Sequence, residues 1–212
     1  MAQGMWTAEG GGKDFEQPPI GNHVARCYLV VDLGTQKGEY QGKPNSARKV
    51  SIRFELCNEL MSEGEMAGKP FSVGKIYTAS LGEKANLRKD LESWRGKAFT
   101  EAELQGFSGK NILGKSCMIN VGRNDKGKGK IMSVAAMPKG MEAPPLVNKA
   151  VWFHLDEFDA QVFESLSKWT KGEIIKSPEY AAMFNGAKPE HESDGDEGPM
   201  GPAEDFESEI PF

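Results

Sequence analysis

Residues 48–57, Arg-Lys-Val-Ser-Ile-Arg-Phe-Glu-Leu-Cys, alternate without interruption. Val50, Ile52, Phe54 and Leu56 fall on one side; Lys49, Ser51, Arg53 and Glu55 fall on the other. Successive side chains of a strand point to opposite faces, so this stretch predicts a strand with one buried face and one polar face carrying cations. The rest of the chain is read outward from it.

Upstream, His23 to Leu33 (HVARCYLVVDL) is a second β-rich run. Strict alternation puts Cys27, Leu29 and Val31 on one face and Arg26, Tyr28 and Val30 on the other. Between the two runs, Gly34 to Ala47 reads as a long Gly-punctuated loop carrying Lys37, Tyr40 and Lys43. Downstream, Phe71 to Ala79 predicts a third strand containing Lys75 and Tyr77. Ser80-Leu81-Gly82-Glu83 has the form of a capping box. Behind it Leu87, Leu91 and Trp94 recur at helical spacing, with Gly96 as the stop. A second box, Thr100 to Glu103, opens a shorter helical turn. Ser116 to Arg123 and Ile131 to Ala136 predict two more strands, joined by a basic hairpin with Lys126, Lys128 and Lys130. Three strands, a helix and two strands is the element order of the OB-fold, a mainly β, five-stranded Greek-key barrel.

The flanks differ in character. Residues 1–19 are Gly-rich and read as a flexible leader before an OB domain at 20–137. Residues 138–187 read as a Pro-interrupted connector followed by a helical extension packed on the barrel. Within it, Ser177-Pro178 form an N-cap with Pro at the first helical position, and Gly186 is the stop. Residues 188–212 hold nine carboxylates and no Lys or Arg after Pro189. That composition cannot offset chain entropy by apolar burial and predicts a disordered acidic tail. Yet the tail closes on Ile210, Pro211 and Phe212, an apolar tip with no use in solubility and suited to capture by a partner. Setting the nine tail carboxylates aside leaves 22 Asp and Glu against 26 Lys and Arg. The net charge of −5 therefore hides a basic body joined to an acidic arm, as expected of a polyanion binder.

In an OB-fold the strand 2–3 face and the loops joining strands 1–2 and 4–5 take up oligonucleotides. Cations must follow the phosphates there, and flat side chains must stack on the bases. The phosphate candidates are Arg26, Lys37, Lys43, Arg48, Lys49, Arg53, Lys75, Arg123, Lys126, Lys128 and Lys130. The stacking candidates are Tyr40 and Tyr77, then Tyr28 and Trp94, although Trp94 lies on the helix's apolar stripe and also suits the core.

Other chemistry finds little support. Cys27, Cys57 and Cys117 are odd in number, widely spaced and without a CxxC, and read as buried reduced thiols, with no zinc site. His154, Asp156, Glu157 and Asp159 form the one dense cluster of metal-ligand types, but Asp156 and Asp159 sit where helix caps are expected. No phosphate-cradling Gly loop or Ser-His-Asp set is visible. The expectation is a non-enzyme without metal or cofactor. No run of 18 apolar residues or signal segment is present, which predicts a cytoplasmic protein with no membrane partner.

Two resemblances sharpen this reading. Glu209-Ile210-Pro211-Phe212, with the acidic residues from Glu204 onward, resembles the C-terminal tail of bacterial single-stranded-DNA-binding proteins. Ala25-Arg26-Cys27 through Asp32–Gln36, Lys49–Leu56, Trp94–Thr100 and Met137–Gly140 are similar to segments of bacteriophage-encoded single-stranded-DNA-binding proteins. The bacterial proteins lack a counterpart to Val151–Asn185. These resemblances imply sequence-nonspecific coating of single-stranded DNA in phage replication, recombination and repair, inside the bacterial host cytoplasm. They further imply recruitment of replication and recombination enzymes through Glu209–Phe212, and a tail that competes in cis for the DNA groove. A homo-oligomer is left open. The alternative is a replisome or recombination adaptor whose OB barrel binds protein.

Overall fold

The computed structural model describes residues 16–40 and 42–184. Strands β1 (Gly21–Tyr40) and β2 (Lys43–Leu60) form a long antiparallel hairpin, and β3 (Pro70–Thr78) pairs with β2. Helices α1 (Asn86–Arg95) and α2 (Glu101–Gln105) follow, then β4 (Ser116–Arg123) and β5 (Gly129–Ala135). The sheet order is β3-β2-β1-β4-β5, all antiparallel, and a short β6 (Val151–Phe153) joins β1 in parallel. Three short helices close the described chain: α3 (Ala160–Ser165), α4 (Lys168–Ile175) and α5 (Pro178–Met183). The outermost strands β3 and β5 approach each other, and α1 lies against both. The result is a mainly β fold with a few helices, compatible with an OB-like barrel.

The alternation of residues 50–56 carries through. Val50, Ile52, Phe54 and Leu56 face the interior, where Phe54 packs on Trp94 with ring centroids 5.3 Å apart. Fully burying side chains of this size contributes roughly 1.5–3 kcal/mol each.

The first strand departs from strict alternation. Its pairing with β2 slips between Cys27 and Leu29, a β-bulge that adds one residue and reverses the parity beyond it. Ala25, Cys27 and Val30 therefore face the same core as Phe54 and Trp94. Leu29, Val31 and Leu33 face the opposite side, where Phe153, Leu155, Ile174 and Tyr180 cover them. One strand thus serves two cores.

The expected loop at 34–47 is instead the end of the β1–β2 hairpin, paired from Thr35↔Arg48 to Tyr40↔Lys43. Cross-strand main-chain bonds hold this arm although residues 37–39 and 42–46 are exposed, so no apolar alternation marks it. Val151–Phe153, read as the start of a helical stretch, is β6. It takes the edge of β1 at Leu29–Val31, just past the stretch where β4 pairs.

Caps divide likewise. Thr100 and Glu103 make both bonds of their box, Asp159 caps α3, and Ser177 caps α5 ahead of Pro178. Ser80 and Glu83 do not cap α1. Ser80 Oγ accepts from the Gly82 amide, and the helix begins only at Asn86, behind Ala85. Glu55, expected outside, is fully buried by the connector: it accepts from the amides of Val147 and Asn148 at 2.8 Å and from Asn148 Nδ2 at 2.7 Å. The expected leader up to Phe15, the Gly186 stop and the acidic segment with Glu209, Ile210, Pro211 and Phe212 lie outside the described residues, as does the side chain of Tyr40.

Candidate nucleic-acid interface

A cleft of about 1550 Å³ runs along β3. The β1–β2 arm contributes Lys37, Asn45, Lys49 and Arg53; the β4–β5 hairpin contributes Lys126, Lys128 and Lys130; the turn before α1 contributes Lys84, and the end of α4 contributes Lys176. With Lys75 that makes nine cationic side chains, against the four carboxylates of Glu39, Glu83, Asp125 and Glu173. The structure therefore brings together Lys37, Lys49, Arg53, Lys75, Tyr77, Lys126, Lys128 and Lys130 from the sequence-derived set.

Their roles differ. Lys49 and Arg53 stand on the outward face of β2, opposite Thr78 and Gly74. Lys49 Nζ donates to Thr78 Oγ1 at 3.0 Å, and partial burial lowers its pKa. Lys75 and Tyr77 stand on the other face, because the register pairs them with Ile52 and Val50. Tyr77 is only 4% exposed and donates to Asp90 at 2.8 Å, while Lys75 Nζ meets the same carboxylate at 3.1 Å. A base has no access to the buried Tyr77 ring, so the expected stacking role is corrected to a core role with a hydrogen-bonded hydroxyl. Trp94 is likewise core, its indole N–H donating to Ser116 O at 2.8 Å.

Four further candidates lie outside the cleft lining and hold the fold together. Arg26 donates to the carbonyls of Gly114, Ala143 and Pro144 at 2.6–2.9 Å, fastening the connector to β1. Arg48 grips Asp32 with two bonds, of 2.6 and 3.1 Å, and reaches Asp156 at 3.2 Å. The hydrogen bond to Asp32 is the main reason its pKa is raised. Arg123 donates to Pro18 O at 2.7 Å and so anchors the segment entering β1. Half-buried Tyr28 shares a hydrogen bond with Ser72 at 2.7 Å. Lys43 is exposed on the hairpin arm near its tip, with Tyr40 opposite it in the ladder.

Sequence reasoning missed Lys84 and Lys176. Lys84 sits in a segment that reads as a helix start and is in fact a turn. Lys176 reaches the cleft because α4 docks on β1, where Gln36 Nε2 donates to Glu173 O at 2.9 Å; nothing local in the sequence signals that contact.

The acidic cluster near residue 156 is used structurally. His154 accepts from the Asp156 amide, Glu157 pairs with Lys110 at 2.7 Å, and Asp159 caps α3. Among the described residues no group of three or more His, Cys, Asp or Glu is placed to hold a metal ion. Burial pushes the Cys27 thiol up to about 12 and raises Cys117 as well, so both are unreactive at neutral pH; Cys57 is half-buried. No described helix is long and apolar enough to cross a membrane.

Compared with known proteins, the chain matches no family model and no curated sequence.

Proposed function

We propose that this chain binds single-stranded DNA without sequence preference, seating the strand in the cleft along β3. The observation that carries the reading is that nine cationic side chains from five separate segments line one open groove, one of them, Lys75, being held by Asp90. The proposal includes an OB-fold barrel. Its support is the helix between β3 and β4, the order β3-β2-β1-β4-β5 and the approach of β3 to β5. In that fold the groove between the two hairpins, over β2 and β3, is where oligonucleotides lie.

The binding mode follows from the side chains present. With Tyr77 and Trp94 in the core, affinity rests on cations tracking phosphates, and Tyr40 on the β1–β2 arm is the remaining aromatic candidate on that hairpin. Backbone-directed binding of this kind is tolerant of sequence and steeply salt-dependent. The reading extends to a phage-encoded protein in a bacterial host that coats exposed strands and recruits replication and recombination enzymes through Glu209–Phe212. It assigns no catalytic step to the chain.

The test is fluorescence anisotropy of labelled oligo-dT with the full chain over a salt series, with U-rich RNA and duplex DNA as competitors. The expected result is tight binding to dT that weakens log-linearly with salt and resists both competitors. Indifference to dT in dilute buffer, or preference for duplex, overturns the proposal.

A further inference from the structure

A second concavity, of about 460 Å³, opens at the far end of α1. Its walls are apolar: Leu91 and Trp94 from α1, Ile112, and the edge-to-face pair Phe99 and Phe107 with centroids 5.5 Å apart. Its rim is polar, with two cations, Arg95 and Lys115, and one carboxylate, Glu103. Arg95 lies over the Phe99 ring, 4.3 Å from its centroid, and is tied to Glu103; Lys115 also lines the pocket and is exposed. A pocket of this size accepts an aromatic ring with one aliphatic neighbour, and the rim favours an anionic flank.

The chain itself holds a segment of that chemistry. Residues 204–212 place four carboxylates before Ile210, Pro211 and Phe212. The described structure ends at Phe184, 26 residues before Ile210. That length spans up to about 85 Å when extended, against a body with a radius of gyration of about 15 Å, so it reaches any point on the surface. A tether of this kind holds the segment at an effective concentration near the millimolar range.

The position of the pocket adds a second constraint. Ala85 and Asn86, at the start of α1, line the basic cleft, whereas Leu91, Trp94 and Arg95, at its end, line the pocket. The ten residues of α1 span about 15 Å, which about five extended residues cover. An acidic strand can therefore lie at the edge of the cleft while its apolar end enters the pocket.

We infer that the pocket between α1 and the 99–116 segment is the seat for Ile210–Phe212 of the same chain. The aromatic walls take the Phe212 ring, and Arg95 and Lys115 face the carboxylates that precede it. Seated there, the apolar tip is withheld from other proteins, and whatever draws the acidic residues off the cleft edge also loosens the tip. The docking does not require that the cleft bind DNA.

The experiment replaces Phe212 by p-benzoyl-phenylalanine in the full chain, without nucleic acid, and maps the photo-crosslinks by mass spectrometry in a mixture of ¹⁴N and ¹⁵N protein. The expected crosslinks fall within residues 91–116 of the same copy. Lys115→Glu, a change at an exposed side chain that leaves the core untouched, lowers their yield several-fold. As a second readout with natural side chains, Phe212→Ala shifts the backbone amide resonances of Gly106, Asn111 and Ser116 and leaves that of Gly74 in place. Crosslinks to the cleft or between copies, or no crosslink together with unmoved resonances, overturn the inference. Because no DNA is present, failure here leaves the single-strand reading standing, and failure of dT binding leaves this result unaffected.

Discussion

Replacing Lys126, Lys128 and Lys130 together with Ala removes the charge of the β4–β5 hairpin while keeping its shape. The turn is held by main chain and by Asn124. The Asn124 amide donates to Lys128 O, the Gly127 amide to Asn124 O, and Asn124 Oδ1 accepts from the Lys126 and Lys128 amides at 3.1 and 2.8 Å. None of these bonds uses a lysine side chain. On a single strand each neutralised phosphate contributes about 0.7 to the slope of log Kobs against log salt, so three lost contacts flatten the slope by about 2. A fourfold rise in salt, from about 50 to about 200 mM, then costs the unaltered protein roughly 20-fold more affinity than it costs the variant. Anisotropy of labelled oligo-dT measures both slopes. The pair Lys139→Ala and Lys149→Ala, at exposed positions outside the cleft lining, serves as the control with an unchanged slope. A triple variant with the slope of the unaltered chain would refute the assignment of this hairpin to phosphate contacts.

Tyr77→Ala empties a core site and is expected to lower stability by roughly 3–5 kcal/mol in urea titrations, as large-to-small aromatic changes do. A variant of normal stability with weakened dT binding would restore the stacking role. Gly34 has φ +70°, and an added Cβ would lie 2.5 Å from Ser177 Cβ and 2.8 Å from Leu155 Cδ1. Gly34→Ala should therefore cost the left-handed penalty of roughly 1–2 kcal/mol and also push α5 off β1. Faster amide exchange in 155–180 with β4 still protected is the expected signature; uniform exchange across both would argue against separate docking of the helices. The pKa of Asp32 is subject to opposing effects. Burial raises it, but the Arg48 hydrogen bonds, the Gly34 amide, the Arg48 charge and the Leu155 amide outweigh burial and hold it below the ordinary value. A carboxylate lowered in the folded state stabilises above its unfolded pKa of about 3.9 and loses that contribution as pH falls through the folded value. The stability gap between the native chain and Asp32→Asn should thus be widest near neutrality and narrow below about pH 4. A gap constant from pH 7 to pH 2 would contradict the pairing.

Local pattern was readable wherever one face of an element is buried against the core. The Thr100 and Ser177 caps are contacts within a few residues, and residues 50–56 and the Leu87–Leu91–Trp94 stripe each show the period of their own element, so sequence spacing reports them directly. Reading failed where long-range pairing decides the outcome. The outer arm of the β1–β2 hairpin has no buried face, so only its cross-strand hydrogen bonds define it. The bulge after Cys27 is one residue wide and reverses the side-chain directions as far as the second register shift, between Asp32 and Gly34, yet leaves no mark on composition. The facing of Lys75 and Tyr77 is hidden for the same reason, because only the β2–β3 register puts them behind Lys49 and Arg53.

The sequence by itself determined the contrast between a basic body and an acidic arm, the β-rich element order and the cationic hairpin at 126–130. These are sums and short-range patterns over neighbouring residues. The tertiary structure decided which cations share a cleft and which are spent elsewhere. Arg26, Arg48 and Arg123 carry the same charge as Lys37 or Lys128, but buried carboxylates and main-chain carbonyls claim them. A side chain's charge is a property of the residue; whether it meets a ligand or the protein's own polar groups depends on partners brought close only by folding, which for Arg26 and Arg123 lie more than a hundred positions away.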